Sequence, residues 1–116
     1  MSKAETKLHE AIMRAINNSG HGRAVKHHGG RFGDAGHPDL YGVWDGCAFF
    51  VEVKTRGGGD PTALQYRQLE LWAAAGAITG CARSVAQAIG VLDSGSGGQR
   101  IPASFWRRCR QLQGDS

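Results

Sequence analysis

His37-Pro38-Asp39-Leu40-Tyr41-Gly42-Val43-Trp44-Asp45-Gly46-Cys47-Ala48-Phe49-Phe50-Val51-Glu52-Val53-Lys54 is the stretch that decides the fold. Residues 47–54 form an apolar run rich in β-formers, and 39–44 form a second. Asp45-Gly46 between them is a strong hairpin turn signal. Side chains alternate along a strand, so Glu52 and Lys54 project from one face and Val51 and Val53 from the other. Buried strands rarely end in a carboxylate and an ammonium unless something pairs with them. Folding 39–44 back on 47–54 brings Asp39 to the Glu52 end of its partner. Two carboxylates and a lysine then converge at one sheet edge, a candidate site for a hard cation.

Working outward, Thr55-Arg56-Gly57-Gly58-Gly59 is a loop leading to Asp60-Pro61-Thr62. Proline fits a helix's first turn and either Asp60 or Thr62 can cap it, so a helix is expected from there to about Ala75, stopped by Gly76. Its buried stripe reads as Leu64, Leu71, Trp72 and Ala75. Gln65 falls between Leu69 and Trp72 on the helical wheel, and has capping-box spacing from Thr62. It reads either as a cap or as an amide reaching the site. Residues 77–82 follow as a strand parallel to the sheet. Ser84 caps a short helix over 85–92, docked through Val85, Ala88, Ile89 and Leu92.

Towards the N-terminus, residues 3–18 repeat Leu8, Ala11, Ile12, Ala15 and Ile16 at helical spacing, ended by Asn17-Asn18-Ser19-Gly20. Glu5 lies on that apolar stripe and Glu10 on the opposite face. Glu5 is either a helix N-terminal charge or a carboxylate facing the site. Residues 22–28 read as a strand with basic flanks, and 29–36 are too rich in glycine for regular structure. His27, His28 and His37 lack the tight ligand pairs of a zinc site.

Pro38-Asp39, twelve intervening residues, and Glu52-Val53-Lys54, followed by Gly57–Gly59, Thr62-Ala63-Leu64-Gln65 and a helix closed by Gly76, resemble the VRR-NUC (virus-type replication-repair nuclease) group of the PD-(D/E)XK nuclease superfamily. The resemblance runs over about residues 4–92 and leaves the C-terminal segment without a counterpart. It implies an α/β fold with a PD-(D/E)XK nuclease-like core, a small mixed β-sheet flanked by helices in the order αβββαβα. Residues 1–93 are then the nuclease domain, while composition and spacing make 94–116 a Gly/Ser linker and a basic amphipathic segment, with Phe105, Cys109 and Leu112 on one face. The implied catalytic residues are Asp39, Glu52, Lys54, Gln65 and, as the first-helix glutamate, Glu5. Asp39, Glu52 and the Val53 carbonyl would hold Mg²⁺ or Mn²⁺. Arg31, His37, Arg56 and Arg67 are the candidate DNA contacts.

These residue types suit phosphodiester hydrolysis, which needs charge neutralised on the phosphorus centre, an activated water and help for the leaving oxygen. Lys54 would act as a cation or as a base. Stand-alone domains of this kind imply a metal-dependent, structure-specific endonuclease acting on branched DNA such as Holliday junctions, as a homodimer. Two-fold symmetry supplies the two sites that a paired cut requires. The alternatives are a nicking subunit working with a helicase, a catalytically silent DNA-binding module, and a structural α/β protein with an incidental Glu52-Lys54 ion pair.

Composition agrees with this reading and narrows it. A chain of 116 residues suits one domain with its own core. The net charge of +4 points towards a polyanion. No apolar run approaches the roughly 20 residues that span a bilayer, and no signal-peptide core is present. Three widely spaced cysteines, Cys47, Cys81 and Cys109, read as reduced residues of a cytoplasmic protein, phage or bacterial.

Overall fold

The structure is a computed structural model that describes residues 3–27 and 36–95. Within it the hairpin forms as its turn chemistry dictates. Strands Leu40–Trp44 (β2) and Cys47–Val53 (β3) pair antiparallel, Leu40 opposite Val51 and Trp44 opposite Cys47. Asp45 and Gly46 both hold positive φ, 49° and 82°, as a two-residue turn matched to the strands' twist requires. Gly22–Lys26 (β1) adds antiparallel to β2, and Ile78–Ala82 (β4) adds parallel to β3. That parallel step needs a crossover, which Ala63–Ala74 (α2) supplies. With Lys3–Asn18 (α1) ahead of the sheet and Val85–Gly95 (α3) after it, the order is the αβββαβα expected. The sheet runs β1-β2-β3-β4.

Alternation along β3 sorts the two faces. Phe49, Val51 and Val53 join Leu40 and Trp44 in a core closed by Ile12 and Ile16 of α1 and by Ala88 and Leu92 of α3. Each large apolar side chain so buried contributes about 1.5–3 kcal/mol. The other face carries Val25, Tyr41, Val43 and Phe50, and Val25, Tyr41 and Val43 stay exposed. Among the described residues, no helix is long and apolar enough to cross a membrane.

The helix boundaries hold closely, but the seating of α2 does not follow its apolar pattern. Leu64 and Leu71 are more than half exposed, Ala75 is exposed and Trp72 half-buried, while Leu69 is the buried residue. The inward stripe is Gln65, Leu69 and Trp72, at i, i+4 and i+7. Specific bonds from Gln65 and ring stacking by Trp72 turn the helix this way. Thr62 is the N-cap, so Pro61 lies buried just ahead of the helix rather than inside its first turn. α3 also runs beyond residue 92, where it is expected to end, and into the first residues of the stretch expected as linker. Gly95 still belongs to it because the helix closes on β4: a Cβ there would stand 2.6 Å from the Ile78 side chain. His28, Arg31 and the rest of the glycine-rich loop to Ala35 lie outside the described residues, as does the C-terminal segment from Ser96 with Phe105, Cys109 and Leu112.

Candidate active site

Carrying the β2–β3 register one step back puts Asp39 opposite Glu52. The Val53 amide fixes it there, donating to Asp39 Oδ2 at 3.0 Å, while the Asp39 carbonyl accepts from the His27 amide at 2.7 Å. Asp39 therefore has a side chain held by one strand and a backbone held by another. Just upstream, Gly36 takes φ +79° where a Cβ would stand 2.7 Å from the Leu64 backbone, so the entry to Asp39 is pressed onto the first turn of α2.

Glu52 is 1% exposed. Lys54 reaches back along the same strand face, its Nζ 3.8 Å from Glu52 Oε1, with its side chain about a fifth exposed at 21%. The Lys54 amide donates to the Ala82 carbonyl at 3.1 Å, which keeps the strand end paired. Gln65 performs both of the roles open to it. Its Oε1 accepts from the Thr62 amide at 2.8 Å, completing a capping box with Thr62 Oγ1, and its Nε2 donates to Glu52 Oε1 at 3.0 Å. One amide thus starts the helix and orients the carboxylate.

These bonds leave Glu52 Oε2 buried without a hydrogen-bond partner. Burial pushes the Glu52 carboxyl up to about 8, helped by the neighbouring Asp39 carboxylate and opposed by Lys54. Two carboxylates forced together in a dry place favour whatever cation comes between them, a proton or a metal ion. Among the described residues no three His, Cys, Asp or Glu side chains converge as a complete metal cage. Two carboxylates with one open oxygen fit an ion such as Mg²⁺, which keeps several of its waters.

Two participants were not legible in advance. His9 of α1 is 1% exposed; its Nδ1–H donates to the Glu5 carbonyl at 2.7 Å and its Nε2 stands 3.4 Å from Asp39 Oδ2. Glu5, half-buried, lies one turn earlier on the same helix, and Glu10 is exposed. His9 sits three residues before Ile12 and seven before Ile16, so the spacing carried a signal that the polarity of histidine masked. The other is Arg83. Its Nη1 donates to the carbonyls of Thr55 (2.7 Å) and Gly58 (3.1 Å), and its Nη2 to the Gly59 carbonyl (3.1 Å) and Asp60 Oδ1 (3.0 Å). One guanidinium thereby clamps the glycine loop that separates Lys54 from Gln65.

The expected nucleic-acid contacts scatter around this centre. His37, two residues before Asp39, stacks on His27 with centroids 3.9 Å apart, while Arg56 and Arg67 are exposed. Cys47 and Cys81 are free thiols; burial pushes the Cys81 thiol up, on the β4 residue that pairs with Glu52.

No family model and no curated protein sequence matches the chain. Solved structures do. A "VRR_NUC domain" matches at 25% identity with a TM-score of 0.64, covering 79% of this chain and 97% of its own. A "VRR_NUC domain protein" shares the fold at 18% identity and a TM-score of 0.60, covering 81% of this chain and 88% of its own. With that likeness, a mixed sheet in αβββαβα order, and Asp39, Glu52, Lys54 and Gln65 meeting at its end, the chain has the PD-(D/E)XK-like α/β fold of VRR-NUC domains, which supports a nuclease-type function in general.

Proposed function

We propose that the chain is a divalent-metal-dependent endonuclease that hydrolyses phosphodiester bonds in structured DNA and cuts branched duplexes as a homodimer. The observation that carries this reading is the buried Glu52 carboxyl beside Asp39, with Oε2 unpartnered, next to a lysine that reaches solvent. Asp39 and Glu52, with the Val53 carbonyl, would hold Mg²⁺ or Mn²⁺. When bound, such an ion supplies Lewis-acid polarisation of the phosphate and a more acidic water.

The chain's own residues do the rest. Gln65 holds Glu52 Oε1 towards α2, leaving Oε2 as the open atom. The Val53 amide fixes Asp39 Oδ2 opposite Glu52. Lys54, with its Nζ 3.8 Å from Glu52 Oε1, would meet a phosphate oxygen or an attacking water, and its positive charge would offset the negative charge that develops on phosphorus. Arg56 and Arg67 are exposed and would meet the DNA backbone, and Arg31 is a further candidate from the sequence that lies outside the described residues. Glu5 is the remaining candidate from the first helix. Leu64 and Leu71, exposed and seven residues apart on α2, give an apolar stripe suited to a second copy.

Cleavage of a labelled four-way junction, with linear duplex and single strand alongside, tests the reading in Mg²⁺, Mn²⁺ and EDTA. Paired cuts that need a metal are the expected result. Cuts confined to flaps or single strands would remove the junction and keep the nuclease. Binding without any cleavage would favour a partner-dependent nicking subunit or a silent module.

A further inference from the structure

On the solvent side of the sheet, next to the carboxylates, five rings gather from four separate segments. Phe50 and Trp72 stack at 4.0 Å with planes 16° apart, and His27 and His37 stack at 3.9 Å. The two pairs meet nearly at right angles, His37 lying 6.1 Å and 74° from Phe50 and 6.4 Å and 70° from Trp72. Tyr41 is nearly parallel to Phe50 but 6.2 Å from it, and is 38% exposed at the mouth. Together they line a cavity of about 320 Å³, at the small end of ligand clefts.

The structural core of this fold, Trp44 and Phe49 included, is closed to solvent. This cluster is open and ringed by π-faces. Its position is as telling as its composition. Phe50 precedes Glu52 by two residues on the same strand face, about 7 Å away, and His37 precedes Asp39 by two. A strand whose phosphate lay at the carboxylates would pass directly over the slot.

We propose that His27, His37, Tyr41, Phe50 and Trp72 form a stacking slot for one unpaired nucleobase of the DNA strand being cut. This rests on the nuclease reading and deepens it. Every base has a π-face, so the slot accepts bases with little regard to sequence. Bases inside a duplex are already stacked on their neighbours and cannot enter without being extruded. Branch points, frayed ends and single strands offer bases that can. The slot therefore gives a physical basis for reading DNA structure without a separate recognition domain.

The test uses the full chain with Ca²⁺ in place of Mg²⁺, so that strands stay intact. Anisotropy then gives Kd for a fluorescent single strand, a four-way junction and a blunt duplex. An abasic site moved one nucleotide at a time through the single strand should weaken binding about tenfold at one position. Tyr41→Ala, at an exposed position, should weaken single-strand and junction binding by a similar factor, leave duplex binding within about twofold, and abolish the abasic effect. Tyr41→Trp should restore it. A flat abasic scan of the wild-type chain overturns the slot, and so does an equal loss on all three DNAs in Tyr41→Ala. The two readings fail separately. No cleavage in Mg²⁺ with the abasic effect intact would remove the nuclease and keep the slot, whereas cleavage with a flat scan would do the reverse. No binding to any of the three DNAs would overturn the slot.

Discussion

Two faces of one strand divide the work of this protein. On β3, Phe49, Val51 and Val53 point into an apolar core sealed by α1 and α3, while Phe50 and Glu52, and Lys54 just beyond the strand, point to the side that α2 only partly covers. The first set is replaceable in kind: its contribution is area removed from water. The second is fixed by identity, since each side chain is held at a stated atom and carries charge or a ring. A period of two lets a seven-residue strand serve both purposes, provided the register never slips.

The largest effect that would test this division is on the core side. Phe49→Ala should cost about 3–5 kcal/mol, read as a shift in the urea unfolding midpoint. On the other face, Lys54→Ala should lower DNA cleavage about 100- to 1,000-fold with a melting temperature close to wild type. If both variants lost stability equally, the two faces would not be separate.

Proton linkage gives a third, smaller effect. Glu52 is raised in the folded protein to about 8 from an ordinary 4.5, so between those values the folded state keeps a proton that the unfolded chain releases. The stability this group contributes is full below about 4.5 and is lost as pH rises through about 8. Metal-free protein should therefore melt at lower temperature at pH 8.5 than at pH 6. A divalent ion displaces that same proton, so its affinity should rise by up to about tenfold per pH unit below 8, measurable by calorimetry in two buffers of different ionisation enthalpy. The smallest effect is at the cap. Thr62→Ala should cost about 1 kcal/mol in a thermal melt, and should also reduce cleavage because the same cap steadies Gln65.

How much of this was legible from sequence depended on range. The hairpin, the Asp39–Glu52 juxtaposition and the Glu52–Lys54 face follow from strand alternation and a two-residue turn, both local properties. Gln65 could be read two ways because either role satisfies its spacing, and the folded chain uses it for both. The seating of α2 was misread because its apolar residues form no clean stripe, so a hydrogen bond to Glu52 and the Phe50–Trp72 stack decide which side faces the sheet. Arg83 lies 25 residues from Gly58 and 24 from Gly59, and no local pattern announces a side chain that ties backbone carbonyls at that distance. His9 differs, since its position on the α1 stripe was visible, but a buried histidine is recognised only when its partner Asp39 is known to be opposite.

The most direct test of the central claim is Glu52→Gln, followed by both cleavage and melting temperature. The substitution keeps the shape of the side chain and removes the ionisable oxygen that burial leaves unpartnered. The predicted result is loss of metal-dependent DNA cleavage together with a higher melting temperature for the metal-free protein at pH 8.5, because a costly buried charge is gone. Cleavage retained near the wild-type rate, or a protein destabilised at that pH, would contradict the assignment of Glu52 as the residue where stability is given up for chemistry.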